Sequence, residues 1–105
     1  MTYEAVIIAL ADPTRRRIFE SLRVKSKTVG ELAEEQPVSR PAVSQHLKVL
    51  KNAELVRVEA KGNRRIYSME KKGLESLRRY LDTFWSDALE AYGQEIFRRI
   101  ENDEL

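Results

Sequence analysis

The chain has 105 residues, of which 34% are charged and 42% hydrophobic, with a formal net charge of +2. That length suits one compact domain with a modest core, and the balance excludes a disordered chain. The absence of cysteine excludes disulfides, thiolate metal sites and cysteine nucleophiles, and the longest apolar run, residues 5–11, is far too short to span a bilayer.

That run has neither a basic flank nor a cleavage site, so it is not read as a signal peptide. The chain is expected in the cytoplasm and not embedded in a membrane. The near-neutral total conceals a basic middle. Arg15, Arg16, Arg17, Arg23, Lys25 and Lys27 stand against Glu20, and Arg40, Lys48, Lys51, Arg57, Lys61, Arg64 and Arg65 stand against Glu54 and Glu59. The tail Glu101-Asn102-Asp103-Glu104 is acidic. A phosphate-facing surface requires such a distribution, although solvated helix faces would produce it too.

In chain order, Tyr3, Val6, Ile7 and Leu10 share one face of a short helix over about residues 3–10. Asp12-Pro13-Thr14 reads as a helix start, with Asp12 as N-cap and Pro13 at the first helical position; Ile18, Phe19 and Leu22 then face inward. Thr28 and Glu31 have the spacing of a capping box, which opens a short helix that turns Leu32 and Ala33 inward. Gln36-Pro37-Val38 breaks the chain. Ser39 caps the next helix, whose buried stripe is Val43, Leu47 and Leu50. Two short helices, a tight connection and a second cap make a helix-turn-helix candidate.

The period changes after Asn52. Leu55 to Ala60 and Arg65 to Met69 read as two strands joined by Lys61-Gly62-Asn63-Arg64, where Gly62 and Asn63 tolerate positive φ. Arg64 and Arg65 should alternate to opposite faces. The rest is one long helix over about residues 71–101, with Leu74, Leu77, Leu81, Phe84, Trp85, Ala88, Leu89, Tyr92, Ile96 and Ile100 at helical spacing. Such a stripe exceeds what a small core covers, and a second subunit is its expected cover. The expected interface comprises Tyr3, Val6, Ile7, Leu10, Leu77, Leu81, Phe84, Trp85, Ala88, Leu89, Tyr92 and Ile96. The fold is mainly α with a small β-hairpin (α+β), in the order α-α-α-α-β-β-α, as one domain over residues 1–105.

In a helix-turn-helix the second helix presents polar side chains to base edges. Opposite the buried stripe stand Arg40, Pro41, Ser44, Gln45 and Lys48. Arg40, Pro41, Ser44 and Gln45 are expected at the bases: Gln45 offers a donor and an acceptor together to adenine, Ser44 allows close approach, and Arg40 reaches guanine or phosphate. Ser39 and Lys48 are expected along the backbone, and Lys61, Asn63, Arg64 and Arg65 of the hairpin along the backbone or in the minor groove, with only one of the two arginines at the DNA. An exposed hairpin kept soluble by charge is the simpler alternative for Arg57 and one of the two arginines.

Several segments together resemble the ArsR/SmtB family of winged helix-turn-helix repressors. They are residues 11–18 (Ala11-Asp12-Pro13-Thr14-Arg15-Arg16-Arg17-Ile18), residues 29–33, residues 38–50 from Val38 to Leu50, Leu55-Val56, and the wing from Gly62 to Tyr67. Tyr80-Leu81-Asp82-Thr83-Phe84-Trp85 is similar to a metal-independent, autorepressor-like branch of that family. The resemblance implies a homodimer built on the first and last helices that binds an inverted-repeat operator in double-stranded DNA and represses transcription, with Arg40, Ser44 and Gln45 at the bases. Glu54 departs from the pattern, which has glycine there for a left-handed backbone position. The cysteine pair of metal-sensing members is absent, with Gly30-Glu31-Leu32-Ala33 in its place. The only histidine, His46, lies in the recognition helix, so neither a metal nor any cofactor is expected. Asp82, Asp87 and Glu90 alone suit only weakly held hard ions. No nucleophile or carboxylate stands at a catalytic spacing from His46, so no enzyme is expected. The competing reading is a dimeric protein-interaction module, or a repressor sequestered by a regulatory protein partner, using the long apolar helix. Trp85 and Phe84 read as dimer core more readily than as a ligand pocket.

Overall fold

The computed structural model describes residues 2–103; Met1 and the last two residues, including Glu104 of the acidic tail, lie outside the described residues. Five helices and one hairpin follow in order: α1 (Tyr3–Ala11), α2 (Pro13–Ser21), α3 (Val29–Glu35), α4 (Arg40–Asn52), β1 (Val56–Lys61), β2 (Arg64–Met69) and α5 (Lys72–Asp103).

Helices α2, α3 and α4 each begin where a side chain satisfies a free amide. Asp12 Oδ1 accepts from Arg15 N–H at 2.9 Å, with Pro13 in the first turn of α2. Glu31 N–H donates to Thr28 Oγ1 at 3.2 Å while Thr28 N–H donates to Glu31 Oε1 at 3.1 Å, which closes the capping box of α3. Ser39 Oγ accepts from Ala42 N–H at 3.3 Å to open α4. Each such cap stabilises its helix by about 0.5–2 kcal/mol. The end of α1 is closed differently. Arg16 Nη1 donates to Leu10 O at 2.9 Å, and Arg15 Nη1 donates to Ala9 O at 3.2 Å. These two arginines of the basic run therefore serve the α1–α2 corner.

The core is assembled from one face of each helix: Val6 and Ala9 of α1, Ile18 and Phe19 of α2, Leu22, Leu32 of α3, Val43, Leu47 and Leu50 of α4, and Leu55 and Val56. Val6 is fully buried within this chain, which removes it from the expected subunit interface. The helix is two-sided: Val6 and Ala9 point in, and Ile7 and Ile8 point out. Leu10 and Leu77 are half-buried against the same core.

The chain leaves α4 through a Schellman turn. Leu55 N–H donates to Leu50 O at 2.9 Å, Glu54 N–H donates to Lys51 O at 3.0 Å, and Glu54 takes φ +58° between them. The left-handed position is thus retained without glycine. Leu55, expected to begin the first strand, is instead the buried residue of this turn. β1 and β2 pair antiparallel from Val56↔Met69 to Lys61↔Arg64. In the two-residue loop Gly62 has φ +63°, and Asn63 does not take the positive φ it tolerates. This fits a type II′ loop, with its glycine first. Lys27 adds a bridge on the other edge of β2: Tyr67 N–H donates to Lys27 O at 2.8 Å and Lys27 N–H donates to Tyr67 O at 3.0 Å.

Helix α5 packs its first turns on the core and continues beyond it; 32 residues of helix run about 48 Å. The chain is consequently elongated, 74 × 25 × 21 Å with a radius of gyration of 20.1 Å, against about 13 Å for a compact domain of this size. Tyr80 anchors the departure of α5, stacking on Tyr3 of α1 with ring centroids 3.8 Å apart.

Candidate nucleic-acid interface

Helix α4 has two faces set by its sequence. Val43, Leu47 and Leu50 sink into the core, which leaves Arg40, Pro41, Ser44, Gln45 and Lys48 exposed. Ser39 caps the helix at the start of that outward face and is itself exposed. His46, one residue from Gln45, is half-buried instead and lies toward the N-terminus of α2. There its charge helps hold the Asp12 carboxyl below the ordinary carboxylate range; the larger cause is the hydrogen bond from Arg15 N–H, and desolvation opposes both.

Two clefts border this face. One, of about 270 Å³, lies between α4 and the hairpin and is lined by Ser44, Leu47, Lys48, Lys51, Arg65 and Tyr67. The other, of about 370 Å³, lies between the starts of α3 and α4 and the hairpin tip, and its lining includes Arg40, Asn63, Arg64 and Arg65. Arg64 stands 3.8 Å from the Glu31 carboxylate, and Arg65 borders both clefts. Alternation therefore separates the two arginines less than the sequence suggests. Lys61 is exposed at the end of β1. Arg57, behind the tip, is 3.9 Å from Glu70.

Glu31 ties the hairpin side to α3. Its carboxyl is held below the ordinary range mainly by the hydrogen bond from Thr28 N–H, then by the Thr28 hydroxyl, with the charges of Lys25 and Arg64 adding and desolvation opposing. Lys27 was missed by sequence reasoning as anything but a surface charge. It is buried, its Nζ donates to Glu35 Oε1 at 2.6 Å, and its backbone holds β2, so it fixes the hairpin against α3. Ser26 and Ser68 hydroxyls, 2.6 Å apart, secure the same junction.

A second exposed surface is apolar. Ile7 and Ile8 of α1 and Leu81, Phe84, Trp85, Leu89, Tyr92, Ile96 and Ile100 of α5 are exposed on this chain, as is Ala88. Tyr3 and Leu77 are half-buried at its root. The donor set for a transition metal does not fit: the chain has no cysteine, its single histidine lies on α4, and Asp82, Asp87 and Glu90 are exposed. Among the described residues no three potential ligands are grouped, and no helix is long and apolar enough to cross a membrane.

A capped helix-turn-helix whose second helix is bare on its polar side, flanked by a two-stranded wing, defines a winged helix-turn-helix protein. Comparison with known proteins places it further. The profile of the bacterial regulatory protein, arsR family, matches residues 12–58. The chain is 57% identical over 86 residues to the HTH-type transcriptional regulator Rv2034 of Mycobacterium tuberculosis, covering 82% of this chain and 80% of that one. It is 41% identical over 64 residues to the transcriptional repressor SdpR of Bacillus subtilis, covering 61% of this chain and 71% of that one. Among solved structures, an ArsR-like transcriptional regulator from Rhodococcus sp. RHA1 superposes with a TM-score of 0.73 at 30% identity, over 88% of this chain and 90% of that one. The chain belongs to the ArsR family: it is a DNA-binding transcriptional regulator and not an enzyme.

Proposed function

We propose that the chain is a cytoplasmic, homodimeric repressor that reads an inverted-repeat operator in double-stranded DNA through α4 and responds to no transition metal. The observation that carries this reading is the exposed outward face of α4 beside the wing. Gln45 and Ser44 stand where they can meet base edges in a major groove, with Pro41 against them. Lys48, Ser39 and the wing residues Lys61, Asn63, Arg64 and Arg65 stand where the backbone would pass. The apolar surface of α1 and α5 supports pairing. Burying each large side chain there contributes about 1.5–3 kcal/mol, and a two-fold axis through it would make the contact self-complementary. Tyr3, Ile7, Leu10, Leu77, Leu81, Phe84, Trp85, Ala88, Leu89, Tyr92 and Ile96 are the residues assigned to that interface, with Val6 excluded by its burial.

The length of α5 beyond the core favours a second use of the same helix, capture by a regulatory protein partner that relieves repression. The test of the main reading is selection of bound duplexes from random DNA, followed by mobility shifts at several salt concentrations. An enriched inverted repeat bound in a salt-dependent way is expected. A purified dimer that binds no duplex at low salt would leave the interaction module as the function.

A further inference from the structure

We propose that Arg40 grips a phosphate of the DNA backbone in the cleft between α3, α4 and the wing, not a base, and that Gly30 is the positioning residue that puts it there. The inference rests on the DNA-binding reading above and reassigns one residue within it.

Arg40 is the first residue of α4, and its side chain lies across Gly30 of α3: a Cβ at position 30 would stand 3.1 Å from Arg40 Nη2 and 3.4 Å from its Cζ. A Cβ there would press on the guanidinium, which would have to give by a few tenths of an ångström, and a larger side chain would take the place in which it lies. Seated there, Arg40 lines the cleft of about 370 Å³ that Asn63, Arg64 and Arg65 enter from the wing. Three guanidinium-bearing side chains thus converge on one opening. The carboxylate on its margin, Glu31, is 3.8 Å from Arg64 and is already engaged by the Thr28 amide and hydroxyl, each at 3.1 Å. Like charges gathered in a concave site raise the local potential and attract an anion. The planar fork of arginine suits a phosphodiester carrying two free oxygens. A side chain held against α3 is directed away from the groove floor that Gln45, more than a turn along α4, would reach. The cleft also spans wing and helix, so one phosphate there would fix the angle between them on the duplex, which is how backbone contacts set register.

The test uses the full chain, an operator selected from random DNA and a random duplex of equal length, with affinity measured across a salt series. Arg40→Ala is expected to weaken binding by about the same factor on both duplexes, roughly tenfold, and to lower the salt slope by about 0.9, the value of one phosphate. Gly30→Ala, which adds a good helix former and is expected to keep the circular dichroism spectrum of the unaltered chain, is expected to reproduce part of that loss on both duplexes and to add nothing when combined with Arg40→Ala. A loss confined to the operator with an unchanged salt slope would overturn the proposal, as would independent, additive losses for the two substitutions. Failure of the unaltered protein to bind any duplex would overturn the underlying reading as well.

Discussion

Glu54 and Gly73 hold the hairpin and the long helix to the end of the recognition helix. Glu54 turns the chain at φ +58°, and its carbonyl accepts from Gly73 N–H at 2.9 Å. A Cβ at Gly73 would stand 2.4 Å from Ala53 O and 3.0 Å from Glu54 O, a collision with backbone that cannot swing aside. The two positions are linked in space and opposite in what they tolerate. Gly73→Ala is expected to lower stability by about 1–3 kcal/mol, because α5 must shift away from the turn. Glu54→Gly is expected to be neutral or stabilising by up to about 1 kcal/mol, as relief of left-handed strain offsets the entropy of glycine. Urea denaturation of both variants checks the signs, and a destabilised Glu54→Gly would contradict the account of the turn.

The pairing of Lys27 with Glu35 predicts an asymmetry. Lys27 is buried, whereas the Glu35 side chain is 38% exposed. Glu35→Ala removes the acceptor and leaves an ammonium with little access to water, at a cost of about 1–3 kcal/mol. Lys27→Met leaves only a carboxylate that water already reaches, and is expected to cost less. Equal losses in chemical denaturation would show that the ion pair is not what fixes the hairpin to α3.

Stability should fall on the acid side for a defined reason. The carboxyls of Asp12 and Glu31 are lowered in the folded chain by the amides they cap. A carboxylate depressed by folding contributes stability that is complete above its unfolded value, near 3.8 for Asp12 and 4.5 for Glu31, and is lost as pH falls through the folded values. Midpoints measured from neutral pH downward should therefore drop below about pH 4.5. Asp12→Asn keeps an acceptor at the cap and should shallow that drop; an unchanged profile would remove Asp12 from the cause.

The apolar surface of α1 and α5 gives a prediction about assembly. Trp85→Glu combined with Leu89→Glu places charge in the middle of the exposed stripe and far from the core. Sedimentation equilibrium is expected to show a dimer for the unaltered chain and a monomer for the variant, with its thermal unfolding little changed. A variant that remains dimeric would move the interface elsewhere.

Much of this was legible in the sequence because it is local. Asp12, Thr28 with Glu31, and Ser39 announce their helices by short-range hydrogen bonding. The left-handed turn at Glu54 has Leu50 and Leu55, the two ends of its longer hydrogen bond, both buried in the core. What was hidden depends on neighbours distant in sequence. Val6 shares a helical stripe with Ile7, yet one lies inside the core and the other outside it, since α1 is apolar on both sides and periodicity cannot rank them. Arg15 and Arg16 read as surface charge, but the bend after Ala11 aims them at the carbonyls of α1. Lys27 read the same way until its bridge to Tyr67 drew it under the wing. The seat of Arg40 on Gly30 needs the α3–α4 crossing, which no spacing encodes.

The claim on which the functional account depends is that the outward face of α4 distinguishes bases. Titration of Gln45→Ala against the selected operator and against random duplex measures this directly. A loss of about 1–3 kcal/mol on the operator, with random-duplex affinity unchanged, is the predicted result. Equal weakening on both, or none on either, would contradict it.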